Sequence, residues 1–134
     1  MTEIEIVQSF LAALEGSDLE RALTLVARDI VYQNVPLPPA RGVDEFVKQM
    51  QLFMKVADKF EVTTHHIAAN GAFVLTERTD AFIVKGARAA FWVCGTFEVR
   101  DGKIVSWRDS FDWAAVTWQT LRALPRALWG AVAG

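Results

Sequence analysis

The sequence predicts an α+β fold, with helices packed on one face of a strongly bent sheet. Three observations carry this. Apolar residues recur at helical spacing through the first half of the chain. From Phe60 the period changes to two. Asn70-Gly71 and Asp101-Gly102 then stand where tight turns would join the resulting runs into an antiparallel meander.

Thr2 and Glu5 have the spacing of a capping box, and Ile6, Phe10, Leu11 and Leu14 follow on one helical face. Ser17 and Glu20 repeat the pattern ahead of Leu19, Leu23 and Val26, so two helices open the chain. A strand through Ile30–Asn34 comes next, stopped by Pro36, Pro38 and Pro39, which have no N–H for a ladder. After Gly42, the spacing of Phe46, Val47, Met50, Phe53 and Met54 predicts a third helix. Lys85-Gly86 adds a weaker turn signal, and the three turns divide the rest into strands over about 59–69, 72–84, 88–100 and 103–112. The tail from Trp113 is helical in pattern, with a break expected near Pro125.

A chain of 134 residues fits one compact domain spanning 1–134, and 52% apolar residues supply a sizeable core with surplus for a cavity wall. A net charge of −2, with Lys and Arg scattered, gives no footprint for nucleic acid. Cys94 is the only cysteine, which excludes an internal disulfide and a cysteine-based metal site. The acidic start has no secretory pattern. The most apolar stretch, 113–134, is interrupted by Arg122, Pro125 and Arg126, so no spanning helix is expected and the cytoplasm is the expected compartment.

Strand alternation places polar residues where apolar ones are expected. Val74, Thr76, Arg78, Asp80 and Phe82 share one face, as do Val105, Trp107, Asp109 and Phe111. The three large neighbours of Asp109 mark its face as interior, and an unpaired buried charge costs several kcal/mol, roughly. Asp109 therefore needs a partner or a raised pKa. Ala89, Phe91, Val93, Gly95, Phe97 and Val99 form an apolar face between these strands, and Ile30, Tyr32 and Asn34 share a side of the early strand. Tyr32, Asn34, Arg78, Asp80 and Asp109 can thus converge inside a hydrophobic bowl. Pattern alone leaves the purpose open. An Asp–Arg–Asp network also serves to fix register or a dimer contact, Tyr32 taken alone reads more readily as a core tyrosine, and Asn34 as a turn residue. His65 and His66, adjacent on a strand, read as ordinary polar strand residues.

The segments Val31-Tyr-Gln-Asn-Val-Pro-Leu-Pro-Pro, Leu75-Thr-Glu-Arg-Thr-Asp and Trp107-Arg-Asp-Ser-Phe-Asp resemble three signature stretches of the limonene-1,2-epoxide hydrolase family. The resemblance runs from about Ile4 to Asp112. It implies a cone-shaped, mostly antiparallel mixed sheet of the nuclear-transport-factor-2-like (SnoaL-like) type, with N-terminal helices on one face and a C-terminal helix. It also implies cofactor-independent, metal-free addition of water to an apolar epoxide, in an enzyme that is commonly a homodimer. Motif by motif, the family's site falls on Tyr32, Asn34, Arg78, Asp80 and Asp109. The run Phe91-Trp-Val-Cys-Gly-Thr-Phe-Glu-Val resembles mycobacterial members linked to lipid or sterol epoxides, whereas the Pro-Leu-Pro-Pro loop resembles the terpene-epoxide enzyme.

Opening an epoxide requires a nucleophile at carbon and a proton on the departing oxygen. Asp109 is expected to be the base, Asp80 the acid, Arg78 the bridge between them, and Tyr32 with Asn34 the holders of the attacking water. Two nearby carboxyls in a dry pocket do not both ionise easily, which separates their titrations. Phe82, Phe91, Val93 and Phe111 are expected to line the substrate wall. The C-terminal helix, with Val116, Leu121, Leu124, Leu128 and Trp129, is expected to close the bowl, pack a dimer or rest on lipid. The rival readings are a ketosteroid-isomerase-like or polyketide-cyclase-like enzyme on the same cone, and a non-catalytic module holding a hydrophobic ligand.

Overall fold

A computed structural model describes residues 1–133, with side chains described through residue 125. The order is α1 (Glu3–Glu15), α2 (Leu19–Leu23), β1 (Val26–Val35), β2 (Ala40–Arg41), α3 (Val43–Val56), β3 (Lys59–Asn70), β4 (Phe73–Val84), β5 (Ala87–Arg100), β6 (Lys103–Phe111) and α4 (Trp113–Ala133). Six strands form one sheet in the order β2-β1-β6-β5-β4-β3. β1 runs parallel to β6 and every other pair is antiparallel, so the mixed, mostly antiparallel sheet is as expected.

Local chemistry explains the boundaries. The Thr2 side chain accepts from the Glu5 amide at 3.1 Å, and Glu5 accepts from the Thr2 amide at 3.3 Å, which completes the capping box. The second helix is capped differently from the expectation. Asp18, not Ser17, accepts from the Arg21 amide, while Ser17 takes a positive φ of 55° in the preceding turn. At the hairpins, Asp101-Gly102 and Lys85-Gly86 both hold two consecutive positive φ values, the twist a two-residue turn needs. β1 starts four residues before the expected Ile30, because Val26 already pairs with Ile104 of β6.

Two expectations fail on strand and helix regularity. Val105 is not an interior residue of full standing. The β5–β6 register shifts between Glu98 and Val99, leaving Val105 as the extra residue of a bulge and Ile104 as the buried one. A second bulge at His65 interrupts alternation on β3, and both histidines are exposed. The tail is not broken near Pro125: α4 runs from Trp113 to Ala133 with the proline inside it, lacking the one N–H a proline cannot donate. Among the described residues no helix is long and apolar enough to cross a membrane.

The core lies between α1, α3 and the inner face of the sheet. Phe10 is fully buried at its centre, edge-on to Trp107 at 5.2 Å and 6.2 Å from Phe46. Trp107 stacks on Phe97 at 5.5 Å and 14°. Each such side chain contributes about 1.5–3 kcal/mol on burial. This packed end fixes the strands so that the opposite end of the bowl stays open.

Candidate active site

Register builds the site. Thr76 on β4 is the Cα partner of Gly95 on β5, Gly95 is the partner of Asp109 on β6, and Asp109 is the partner of Asn34 on β1. These four residues form a row across the sheet. The row beside it holds Val74, Phe97, Trp107 and Tyr32, the roof of the core. Arg78 and Asp80 stand two and four residues along β4 from Thr76, on the same face.

Arg78 is fully buried and its guanidinium crosses β5 above Gly95 to reach Asp109. A Cβ on residue 95 would lie 2.4 Å from Arg78 Nη1 and 2.5 Å from Asp109 Oδ1, so only glycine leaves room for the crossing. All five guanidinium protons have acceptors. Nε donates to Asp80 Oδ1 at 3.1 Å, and Nη2 to Asp80 Oδ2 at 2.9 Å and Asp109 Oδ2 at 2.8 Å. Nη1 donates to Asp109 Oδ1 at 3.3 Å and Thr76 Oγ1 at 3.0 Å. Paired bidentate contacts of this kind satisfy a buried charge far better than a single contact. Trp107 Nε1 adds a donor to Asp109 Oδ1 at 2.7 Å.

Tyr32 is stacked on Trp107 at 4.6 Å, and its hydroxyl accepts from Asn34 Nδ2 at 3.1 Å. Burial pushes the Tyr32 pKa up, the Asp109 charge adds to this, and the phenol stays a donor. Burial alone would lower the Arg78 pKa; hydrogen bonds to Asp80 and the charge of Asp109 outweigh it, and the net shift is upward. Burial also raises the Asp109 carboxyl above its ordinary range, and the Arg78 charge only partly offsets this. A carboxylate shifted upward in this way is the stronger base.

Above this floor lies a cavity of about 500 Å³ to which Tyr32, Asn34, Asp80, Trp107 and Asp109 all contribute. Its wall is a continuous chain of aromatic contacts: Phe60–Phe82 at 5.1 Å, Phe82–Phe91 at 5.8 Å, Phe91–Phe111 at 5.4 Å and Phe111–Trp113 at 5.4 Å. α4 closes one side with Val116, Thr120, Ala123 and Leu124. Its entry is fixed by Asp112, which accepts from the Ala114 and Ala115 amides, and by Trp113 Nε1 donating to the Val35 carbonyl at 2.6 Å.

The five polar residues expected at the site are therefore brought together, and Phe82, Phe91 and Phe111 line the cavity. Val93 does not. It is fully buried between its partners Arg78 and Phe111, so parity put it on the right face but packing left it no surface toward the cavity. Arg78 also has no surface there and lies behind the two acids. On α4, Leu121 is 57% exposed and faces away, while the side chains of Leu128 and Trp129 lie outside the described residues. Sequence reasoning missed Thr76, Gly95 and Trp107 as site residues. A glycine inside a strand was the available signal for close approach of another group. Among the described residues no group of three His, Cys, Asp or Glu side chains is disposed to hold a metal ion.

The chain is similar to known proteins over most of its length. The family model of the limonene-1,2-epoxide hydrolase catalytic domain matches residues 1–122. Epoxide hydrolase EphG of Mycobacterium tuberculosis is 45% identical over 106 residues, covering 79% of this chain and 70% of that one. The solved structure of an M. tuberculosis LEH-like epoxide hydrolase superposes with a TM-score of 0.85 at 40% identity, covering 94% of each chain. A protein with a ketosteroid-isomerase-like fold from Catenulispora acidiphila reaches a TM-score of 0.76 at 23% identity, over 86% of this chain and 91% of that one, a likeness of fold alone. Family match, relatives and charged network coincide: this chain belongs to the limonene-1,2-epoxide hydrolase family and is an enzyme of that type.

Proposed function

We propose that the enzyme adds water directly to an apolar epoxide of terpene, lipid or sterol type, giving a vicinal diol with no covalent intermediate. The supporting observation is the single guanidinium shared by Asp80 and Asp109 beneath an apolar cavity, with both acids opening onto it. Asp109, ionised, takes a proton from a water held by Tyr32 and Asn34 while the water oxygen bonds to an epoxide carbon. The carbon–oxygen bond breaks, its electron pair stays on oxygen, and Asp80 supplies the proton that completes the diol. Asp109 then holds the extra proton and Asp80 lacks one. Arg78, touching both, lets the pair reset by moving that proton. The apparent titrations belong to the network.

A single turnover with enzyme in excess in heavy-oxygen water tests direct attack. The label is expected in the first diol formed, and label appearing first in the protein would sink the mechanism. A panel of terpene, lipid and sterol epoxides, run beside a 3-keto-5-ene steroid, tests the reaction class; isomerisation without diol formation would overturn it. The volume lies in the range of roughly 300–1,000 Å³ that suits drug-sized guests, which supports substrates larger than a small cyclic epoxide.

The same reading takes residues 1–134 as one cytoplasmic domain, tested by limited proteolysis and cell fractionation. It also pairs two copies through the outer face of the sheet, where Phe73, Leu75 and Trp92 are each about half exposed. Light scattering that finds only monomer would overturn the pairing.

A further inference from the structure

We propose that Thr76 is a positioning residue that, acting through Arg78, sets how the guanidinium's hydrogen bonds are divided between Asp80 and Asp109. The inference rests on the acid/base reading above. Arg78 presents one edge, Nε with Nη2, to Asp80 and another, Nη2 with Nη1, to Asp109. Four of its five protons are thereby accounted for. The fifth, on Nη1, goes to Thr76 Oγ1 at 3.0 Å. No other acceptor in the network takes it.

Thr76 is itself locked. It is 4% exposed, β-branched, and its hydroxyl donates to the carbonyl of Gly95, the residue over which the guanidinium crosses. With its proton committed there, Oγ1 can only accept from Arg78. The consequence is visible in the distances. Asp80 receives bonds of 3.1 and 2.9 Å, whereas Asp109 receives 2.8 and 3.3 Å, and the longest is the one whose nitrogen also serves Thr76. Thr76 thus holds Nη1 back from Asp109 Oδ1, which Trp107 Nε1 already serves at 2.7 Å, and limits how far the guanidinium itself stabilises the ionised carboxylate.

Remove the acceptor and Nη1 has one place left to turn. The guanidinium rolls toward Asp109 Oδ1, stabilises the ionised acid and weakens the base. The other titratable groups around Asp109 are Asp80 on β4 and Tyr32 on β1, with Lys59 of β3 also bordering the cavity, 3.8 Å from Glu61; none of them replaces the Thr76 acceptor.

The test is the pH profile of kcat/KM for Thr76→Val, nearly equal in volume. Its acidic limb is expected to move to lower pH by about half a unit or more, and its plateau to fall roughly ten-fold. T76S keeps the hydroxyl and is expected to return the limb to the wild-type position. In parallel, the Asp109 carboxyl, identified by its loss in D109N, is titrated by carbon-13 NMR without substrate, and the same downward shift is expected. Should T76V fail to fold, T76C fits the space with a poor acceptor and is expected to shift both readouts in the same direction. A lowered melting temperature with limb and titration unmoved would make Thr76 merely structural and overturn the proposal. The NMR readout needs no turnover: absence of diol from wild type would sink the hydrolase reading alone, whereas turnover with an unmoved titration would sink this one alone.

Discussion

The floor and the wall of the cavity are built on opposite terms. On the floor every polar atom has a named partner: Arg78 distributes five protons over three acceptor side chains, and no buried side-chain nitrogen or oxygen among the described residues is left without a hydrogen bond. On the wall, Phe60, Phe82, Phe91 and Phe111 touch through ring contacts of 5.1–5.8 Å with interplanar angles from 27° to 69°. Hydrogen-bonded geometry fails when one atom moves, whereas ring contacts tolerate re-packing. Under the proposed mechanism chemistry belongs to the floor and substrate fit to the wall, and each can be disturbed separately.

The largest effects belong to the two acids. Asp109→Asn and Asp80→Asn each keep the side-chain volume and remove the proton transfer assigned to that residue. Diol formation is expected to fall by about 10³-fold or more in each, where a positioned acid or base typically contributes 10²–10⁴-fold. Circular dichroism is expected to show a folded protein with a lower melting temperature, since Arg78 then loses one of the two carboxyl groups that share its guanidinium. Substantial diol formation by either variant removes that residue from its role.

Gly95→Ala attacks the floor without touching a charge. The new methyl would meet Arg78 Nη1 and Asp109 Oδ1 well inside contact distance, and strands on both sides prevent β5 from receding. Overpacking of this order destabilises by about 1–3 kcal/mol. Activity is expected to fall roughly 10–100-fold, because a displacement of about 1 Å in a positioned group costs on that scale. A thermal melt and a diol assay check both; a variant with wild-type rate would show that the crossing does not need the gap.

The raised pKa of Asp109 makes a pH prediction with a definite sign. Burial is the leading cause, so the folded protein holds this proton more tightly than the unfolded chain does. The folded state is therefore favoured by this group below the unfolded carboxylate pKa, and that contribution is lost as pH rises through the higher folded value. The difference in melting temperature between wild type and D109N is expected to change across this window, the wild type losing more stability on the way up. The acidic limb of kcat/KM is expected above the ordinary carboxylate range. Parallel melting curves across the window would contradict the shift.

How far the sequence carried is clearest at Gly95 and Arg78. Period-two alternation was enough to put Arg78, Asp80 and Asp109 on one interior face, and Asp101-Gly102 marked the β5–β6 turn. Asn70, by contrast, is the last residue of β3, paired with Phe73, and the β3–β4 turn sits one residue on at Gly71-Ala72. Alternation says which face a residue occupies but not what lies between it and the cavity, so Val93 was expected on the wall and is sealed beneath it. The bulge at Val105 was equally hidden, because one extra residue flips parity with no mark in the local pattern. Trp107 read as apolar filler, since its indole N–H matters only once Asp109 stands 2.7 Å away, a relation between side chains rather than a property of the run. Pro125 was over-read: a lost N–H weakens a helix without compelling it to stop.

The smallest effect is expected on the wall and tests the division most sharply. Phe91 stacks on Phe82 at 27° and meets Phe111 edge-on at 69°, yet it touches none of the hydrogen bonds on the floor. Phe91→Leu removes ring contacts worth about 0.5–1.5 kcal/mol per pair and widens the cavity above Asp80. KM for a bulky apolar epoxide is expected to rise several-fold while kcat stays within about two-fold, the signature of lost uniform binding. Substrate series should expose this as a change in rank between small and large epoxides. A kcat reduced by two orders of magnitude would mean that the ring positions the acid as well as the guest, and the separation of floor from wall would not hold.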